Sequence, residues 1–235
     1  MKKIKYTLIT LLCIGAISLK AQENEIPKTT QAFGLAIGAG DGIYSGALSW
    51  NRTHGLFNGK KIRLGYGLRF SGFSGSNLTY TTAPAKLASD ESTIDTLIVN
   101  SPLAMGLSAS IHIEYLFTPK LKAGFNIDAI GLGFGSESST TFISSENTGN
   151  FPVNPSARPT PFNLLLVGDN DIGYLKSEFF IAYAISEKLW LRGGMDMTFS
   201  EYTTSVKLTN NNDRFRYKAI MFFLGISFNP FTGNE

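Results

Sequence analysis

The feature that most constrains the fold is a two-residue alternation of apolar side chains with polar or small ones. Between residues 61 and 71, every even position from Ile62 to Phe70 is apolar, and the odd positions carry Lys, Arg, Gly or Ser. The pattern recurs over residues 103–117, 175–185 and 189–199. Successive side chains of a β-strand point to opposite faces, so each segment is predicted to be a strand with one apolar face.

The connections between these segments alternate in length. Residues 118–120 and 186–188 are short turns, and residues 53–59 end in Asn58-Gly59, a hairpin signal. The long connections are rich in Ser, Thr, Asn and Pro; they span residues 75–102, 137–171 and 204–213. Short turns at one end and long loops at the other are typical of a bacterial outer-membrane barrel.

Placing every long loop on the outside sets the number of strands. The sequence then predicts an all-β fold: an eight-stranded antiparallel up-and-down transmembrane β-barrel with both termini on the periplasmic side. The predicted strands are residues 33–39, 42–52, 60–74, 103–117, 121–136, 172–186, 188–203 and 214–229. Residues 33–52 form either two strands or one bent strand, because Gly40-Asp41-Gly42 suits a tight turn or a bend.

The N-terminus is predicted to be a cleaved signal peptide, residues 1–21. Three lysines precede the apolar run from Tyr6 to Leu19, which is shorter than the roughly 20 residues of a membrane helix. Residues 22–32 are then a periplasmic segment, residues 33–229 the barrel and residues 230–235 a tail. Cleavage removes four Lys and no acid, which changes 21 basic and 18 acidic residues (+3) to 17 and 18 (−1). A nucleic-acid partner is therefore not expected.

Alternation alone does not say which face meets water, because a soluble lipocalin-like barrel would place its apolar face inward. The less apolar face is dominated by Gly, Ser and Ala with a few charges, which favours a narrow lumen and an apolar face against lipid. Aromatic residues near the strand ends are predicted to form interfacial girdles. They include Trp50, Tyr115, Tyr183, Tyr202 and Tyr217. The alternation slips after Asp128 and after Lys218, where a bulge is expected.

Three short motifs carry a resemblance to a known family. They are the Ala21-Gln22 junction, the run Tyr-Leu-Phe-Thr-Pro-Lys-Leu from Tyr115 to Leu121, and the closing strand from Phe222 to Phe228. With the strand pattern, residues 32–229 resemble the small eight-stranded outer-membrane barrels of Bacteroidetes-type, Gram-negative bacteria. The resemblance implies a cell-envelope protein in contact with outer-membrane lipid and lipopolysaccharide, or with other barrel proteins in a membrane complex.

Charged residues on the predicted inward face are expected to pair inside the lumen, because a buried unpaired charge is costly. Eight strands enclose an interior that side chains just fill, so a general porin is not expected. The inward charges are Arg63, Arg69, His112, Glu114, Asp128, Lys176, Glu178, Arg192, Asp196, Arg216 and Lys218. The alternative is a narrow solute or ion path through them.

Ser110, His112 and Glu114 share one face of a strand and are the parts of a nucleophilic hydrolase. Resemblance to lipid A deacylase barrels makes a lipid hydrolase a second alternative. The set faces inward, and adjacent side chains are about 6.6 to 7 Å apart along a strand, which is long for a direct relay. Two His and one Cys make a transition-metal site improbable, and no cofactor is expected. The leading prediction is a non-enzymatic barrel that acts through loops 75–102 and 137–171 or within an envelope complex.

Overall fold

The computed structural model describes residues 26–145, 151–166 and 168–231. The predicted signal peptide lies outside these residues. The described residues form a single antiparallel sheet of thirteen strands. The strands are β1 (Thr29–Gly40), β2 (Ile43–Leu56), β3 (Ile62–Ser74), β4 (Leu78–Thr82), β5 (Thr96–Val99), β6 (Leu103–Thr118), β7 (Leu121–Gly135), β8 (Ser138–Ile143), β9 (Ser156–Pro159), β10 (Phe162–Leu164), β11 (Leu175–Ala184), β12 (Leu189–Thr204) and β13 (Arg214–Phe228).

Helical structure within the described residues is confined to the long connections. A short helix α1 (Ala85–Ala88) and a 3-10 turn (Glu91–Thr93) lie between β4 and β5, and further 3-10 turns are Gly168–Asn170 and Thr209–Asn211. No helix in the described part of the chain is long and apolar enough to cross a membrane.

The long strands close into a ring, called here the main ring. Its neighbours pair in the order β1, β2, β3, β6, β7, β11, β12 and β13, and β13 pairs back to β1 from Phe33↔Phe228 to Ala39↔Phe222. The end with turns at residues 57–61, 119–120 and 185–188 is called the turn end, and the opposite end is the loop end. Closure gives every strand of the ring a partner on both sides, so no edge is left open.

A second ring is built from the long connections at the loop end. Starting from β13, the pairs run through β4, β5, β8 and β9 to β12, and β12 pairs with β13. This loop-end ring therefore shares the β12–β13 pair with the main ring. Strand β10 pairs with β7 and fills the side of the sheet above the shorter β11.

The prediction of eight strands is wrong as a count, because the sheet has thirteen. The predicted segments correspond to the strands of the main ring, and the five further strands lie in segments predicted to be loops. Residues 33–52 belong to two strands: Asp41 and Gly42 have φ of 47° and 75°, as a tight hairpin turn requires. Strand β1 begins at Thr29, within the segment expected to precede the barrel.

One of the two expected bulges is present. The β6–β7 register shifts between Ala109 and Ser110, where Ala109 faces Ile130 and Ser110 faces Asp128. Ala129 is the extra residue, so the apolar positions change parity after Asp128 as the alternation indicated. No such shift occurs in β13, whose pairing with β12 is regular past Lys218.

The two rings have opposite polarity. The outer face of the main ring carries exposed apolar side chains on every strand; examples are Leu35, Leu48, Leu68, Ile111, Leu132, Ile181, Met195 and Phe222, the last 76% exposed. This surface is called the apolar belt. The loop-end ring instead encloses a core that includes Tyr80, Leu97, Phe142, Tyr202 and Phe215. Its outward positions include the exposed polar residues Thr79, Thr81 and Ser139, together with the apolar residues Ile98 and Ile143.

The core of the loop-end ring is expected to hold its strands together. Leu97→Ala removes a fully buried side chain, and such changes cost about 2–5 kcal/mol of unfolding free energy. Ile98→Ala is the matched control, because the neighbouring side chain is only half-buried. Limited proteolysis should cut Leu97→Ala faster within residues 75–102. Equal rates for the two variants would contradict this account of the core.

Candidate functional site

The lumen of the main ring holds a network of buried charges centred on Arg69 of β3. Its guanidinium donates to Asp128 (Nε to Oδ1, 2.9 Å), to Asn126 and to the Lys176 carbonyl (2.6 Å). Glu178 lies 3.6 Å from Arg69 and accepts from Asn126 at 2.9 Å. The side chains of Arg69, Asp128 and Glu178 are at most 2% exposed, so hydrogen bonds between them replace the lost water.

A second group surrounds Asp196 of β12. Its carboxylate pairs with Lys176 of β11 and accepts from Ser45 (2.7 Å) and Thr198 (3.0 Å). The Lys176 backbone N–H donates to Asp128 Oδ2 at 3.0 Å, which joins this group to the one around Arg69. The two groups therefore form one connected network across the lumen.

Towards the turn end, charges fix the rim of the barrel. Lys122 Nζ donates to both carboxylate oxygens of Glu114, at 2.9 and 3.0 Å. Arg63 is 1% exposed and donates to the carbonyl of Pro27 (2.9 Å) and to the hydroxyl of Thr53 (3.2 Å). Arg63 thus ties the segment before β1 across the lumen mouth.

Apolar residues close the lumen on both sides of the network. Phe180, Trp190 and Phe223 pack together near the turn end, and the Arg192 guanidinium lies 5.3 Å from the Phe180 ring and 5.6 Å from the Phe223 ring. At the loop end, Phe73 and Met221 of the main ring join the core of the loop-end ring. The groups around Arg69 and Asp196 therefore lie between two apolar clusters.

Most of the predicted lumen charges lie in this interior, but Arg216 and Lys218 do not. Both are on the outer face of β13, in register with Glu201 and Phe199, and both pair with Asp169 (3.0 and 3.1 Å). The change of pattern at Lys218 reflects the end of the apolar belt, beyond which the outer face carries charge. The hydrogen bond from Lys218, aided by Arg216, lowers the pKa of the Asp169 carboxyl.

The aromatic residues predicted for the interfacial girdles lie in two different environments. Tyr115 and Tyr183 lie on the outer face near the turn end and are 43% and 50% exposed, whereas Trp50 is half-buried on the outer face in the middle of β2. Tyr202 is fully buried and accepts from the Leu103 N–H at 2.9 Å. Tyr217 contacts the Phe73 and Tyr80 rings. These two residues belong to the loop-end core because the loop strands cover them.

Three members of the network are not among the lumen residues predicted from the sequence. Asn126 joins Arg69 to Glu178, Ser45 joins Lys176 to Asp196, and Lys122 neutralises Glu114. Asn126 lies two positions before Asp128 and therefore on the same face of the strand, so the alternation also predicts its inward direction. Ser45 and Lys122 become partners only when separate strands meet around the ring.

Ser110 and His112 contact each other, but no catalytic triad is formed. Ser110 Oγ lies 2.9 Å from His112 Nε2, closer than strand spacing alone predicts, because the side chains lean together. Glu114 is bound instead to Lys122. Ser110 and His112 are each 3% exposed inside the ring, without the access that an acyl substrate needs. The described residues contain no group of His, Cys, Asp or Glu arranged to hold a metal ion.

Comparison with solved structures finds matches of low sequence identity and low TM-score. Neisserial surface protein A (NspA) is 9% identical with a TM-score of 0.36, over 85% of this chain and 94% of that one. A major outer membrane protein from Thermus thermophilus is 9% identical (TM-score 0.37; 86% and 98%). The P. putida toluene transporter TodX is 8% identical (TM-score 0.25; 88% and 91%). No family model and no curated protein matches the chain.

Breaking the network at its centre should strongly destabilise the barrel. Arg69→Met leaves Asp128 buried without its cation, which typically costs about 3–5 kcal/mol. Lys218→Met breaks an exposed pair and is expected to change stability by at most about 1 kcal/mol. Urea unfolding of each purified variant, followed by far-UV circular dichroism, measures both. A stable Arg69→Met protein would show that the pairs are dispensable.

Proposed function

We propose that the protein is an outer-membrane β-barrel that crosses the bilayer with its main ring and displays its loop-end ring at the cell surface. In this orientation the turns and both termini are periplasmic. The observation that supports the proposal is the inversion of polarity along the shared strands. On β12 and β13, Leu191, Phe222 and Leu224 face outward in the main ring, whereas Tyr202 and Phe215 face inward in the loop-end ring.

If water surrounded both rings, this inversion of side-chain polarity would not be expected. A soluble barrel places its apolar face inward, and large exposed apolar areas on soluble proteins are costly. The belt encircles the ring on every strand, as contact with lipid requires, and stops where Lys218 meets Asp169. A closed ring also satisfies its backbone hydrogen bonds internally, which hydrocarbon demands.

The proposed role is non-enzymatic. The lumen is filled by paired charges and closed by apolar clusters, so the surfaces available for recognition are the two ends and the belt. We propose that the loop-end ring binds a surface ligand or covers a partner within a larger envelope complex. Lipopolysaccharide and outer-membrane lipid would surround it, and another barrel protein is a candidate partner for the belt.

Membrane insertion of the main ring can be tested by placing one charge on each ring. Phe222→Arg puts a cation on the belt and should cost about 2–4 kcal/mol of stability in lipid vesicles. Thr79→Arg, on the water-facing side of the loop-end ring, should cost little. Heat-dependent gel mobility of the unboiled protein reports the folded fraction during urea titration. Equal stability of the two variants, or no heat-dependent shift in the unmodified protein, would contradict a membrane barrel.

The filled lumen should not conduct ions. Planar-bilayer recordings of the purified protein are expected to show no discrete conductance steps, because Arg69, Asp128 and Glu178 are held together across the interior. A known porin in the same bilayer is the positive control. Reproducible steps from this protein alone would favour the narrow-channel alternative.

A further inference from the structure

The turn end carries a set of five lysines. They are Lys28, Lys60, Lys61, Lys120 and Lys188, called here the basic rim. Their side chains are exposed except that of Lys60, which is half-buried. None of them forms an ion pair with a described residue. In the turns and strand ends around them, Glu187 is the one exposed acid that the structure describes.

The loop end differs in charge and in pairing. There Arg214 binds Glu201, and Arg216 and Lys218 bind Asp169. Exposed acids, including Asp90, Glu91 and Glu137, lie at the same end. Three cations at the loop end therefore pair with described acids, whereas no described acid pairs with a lysine of the basic rim.

The position of the rim identifies the chemistry of that partner. Lys61 precedes Ile62, and Lys120 follows Phe117 in the next turn; both apolar residues are exposed at the border of the apolar belt. A lysine stem placed there can cover apolar surface while its ammonium reaches outward. In a bilayer this is the level of the headgroups, where anionic phosphates attract basic residues.

We propose that the basic rim binds the phosphates of anionic phospholipids in the leaflet at the turn end. The inference rests on the proposed membrane insertion. The lysines are spread around the circumference of the barrel, as the phosphates of a surrounding lipid layer would be. This match favours lipid over an acidic protein, which would dock on one side only. Phe57, 79% exposed at the tip of the turn before Lys60, adds an apolar contact next to this layer.

Trp50 makes the proposal measurable. It is half-buried on the outer face of β2, whereas Trp190 is buried in the lumen. Phospholipids with brominated acyl chains quench a tryptophan that they touch. The protein is placed in phosphatidylcholine vesicles, and brominated phosphatidylglycerol is compared with brominated phosphatidylcholine. A Trp50→Phe variant gives the background from Trp190.

Brominated phosphatidylglycerol should quench the fluorescence of Trp50 more strongly than brominated phosphatidylcholine does, and added salt should reduce the difference. The double variant Lys61→Gln, Lys120→Gln should lower the relative affinity for phosphatidylglycerol by about thirtyfold at low salt. The matched control is Lys86→Gln, Lys207→Gln, which removes the same charge from exposed lysines of the loop end. It should keep the preference.

The outcomes separate the two proposals. Equal quenching by both lipids, or equal loss in the rim and control variants, would overturn lipid binding by the rim while leaving membrane insertion intact. Absence of quenching by brominated phosphatidylcholine itself would mean that Trp50 does not meet lipid, which overturns membrane insertion. If the rim variant kept its full preference for phosphatidylglycerol, the lipid selectivity would come from other residues, and the proposal for the basic rim would be wrong.

Discussion

The structure depends on one antiparallel ladder, the pairing of β12 with β13 from Leu189↔Phe228 to Thr203↔Arg214. It closes the main ring below and the loop-end ring above, so the two rings cannot move independently. The side-chain environment changes along this ladder while the backbone pairing does not. Because the backbone hydrogen bonds are alike along the whole ladder, side-chain polarity alone distinguishes the two parts of the hairpin.

The polar interior follows from this arrangement. Once the belt faces outward, alternation sends Arg69, Asp128 and Asp196 into a narrow space with little room for water. Isolated charges there would be prohibitively costly, and removing one partner leaves the other unpaired. The charged side chains of the network therefore depend on one another, because each is stable in the interior only with its partners present. Its function is to fill the ring with groups that satisfy each other, as Asn126 does between Arg69 and Glu178.

The main ring was predictable because its signals are local. Alternation, short turns and the slip at Asp128 each depend on neighbouring residues, and the bulge at Ala129 appears where the slip indicated. The loop-end ring was not predictable in this way. Strand β4 has only five residues and β9 only four, and β4 pairs with β13, more than 130 positions away in the chain. Short strands with distant partners leave almost no periodic signal.

The same limit explains the errors at Tyr202, Arg216 and Lys218. The rule that apolar side chains point outward was applied past the end of the apolar belt, which placed Arg216 and Lys218 inward and required a bulge that β13 does not have. Above that level Tyr202 keeps its inward direction but meets an apolar core, and Lys218 faces outward because charge is favoured there. Odd or even position along a strand therefore gives the direction of a side chain. The surroundings on that side determine whether an apolar or a polar residue is favoured there. In the proposed membrane orientation, Lys218 marks the level at which the outer face passes from lipid to water.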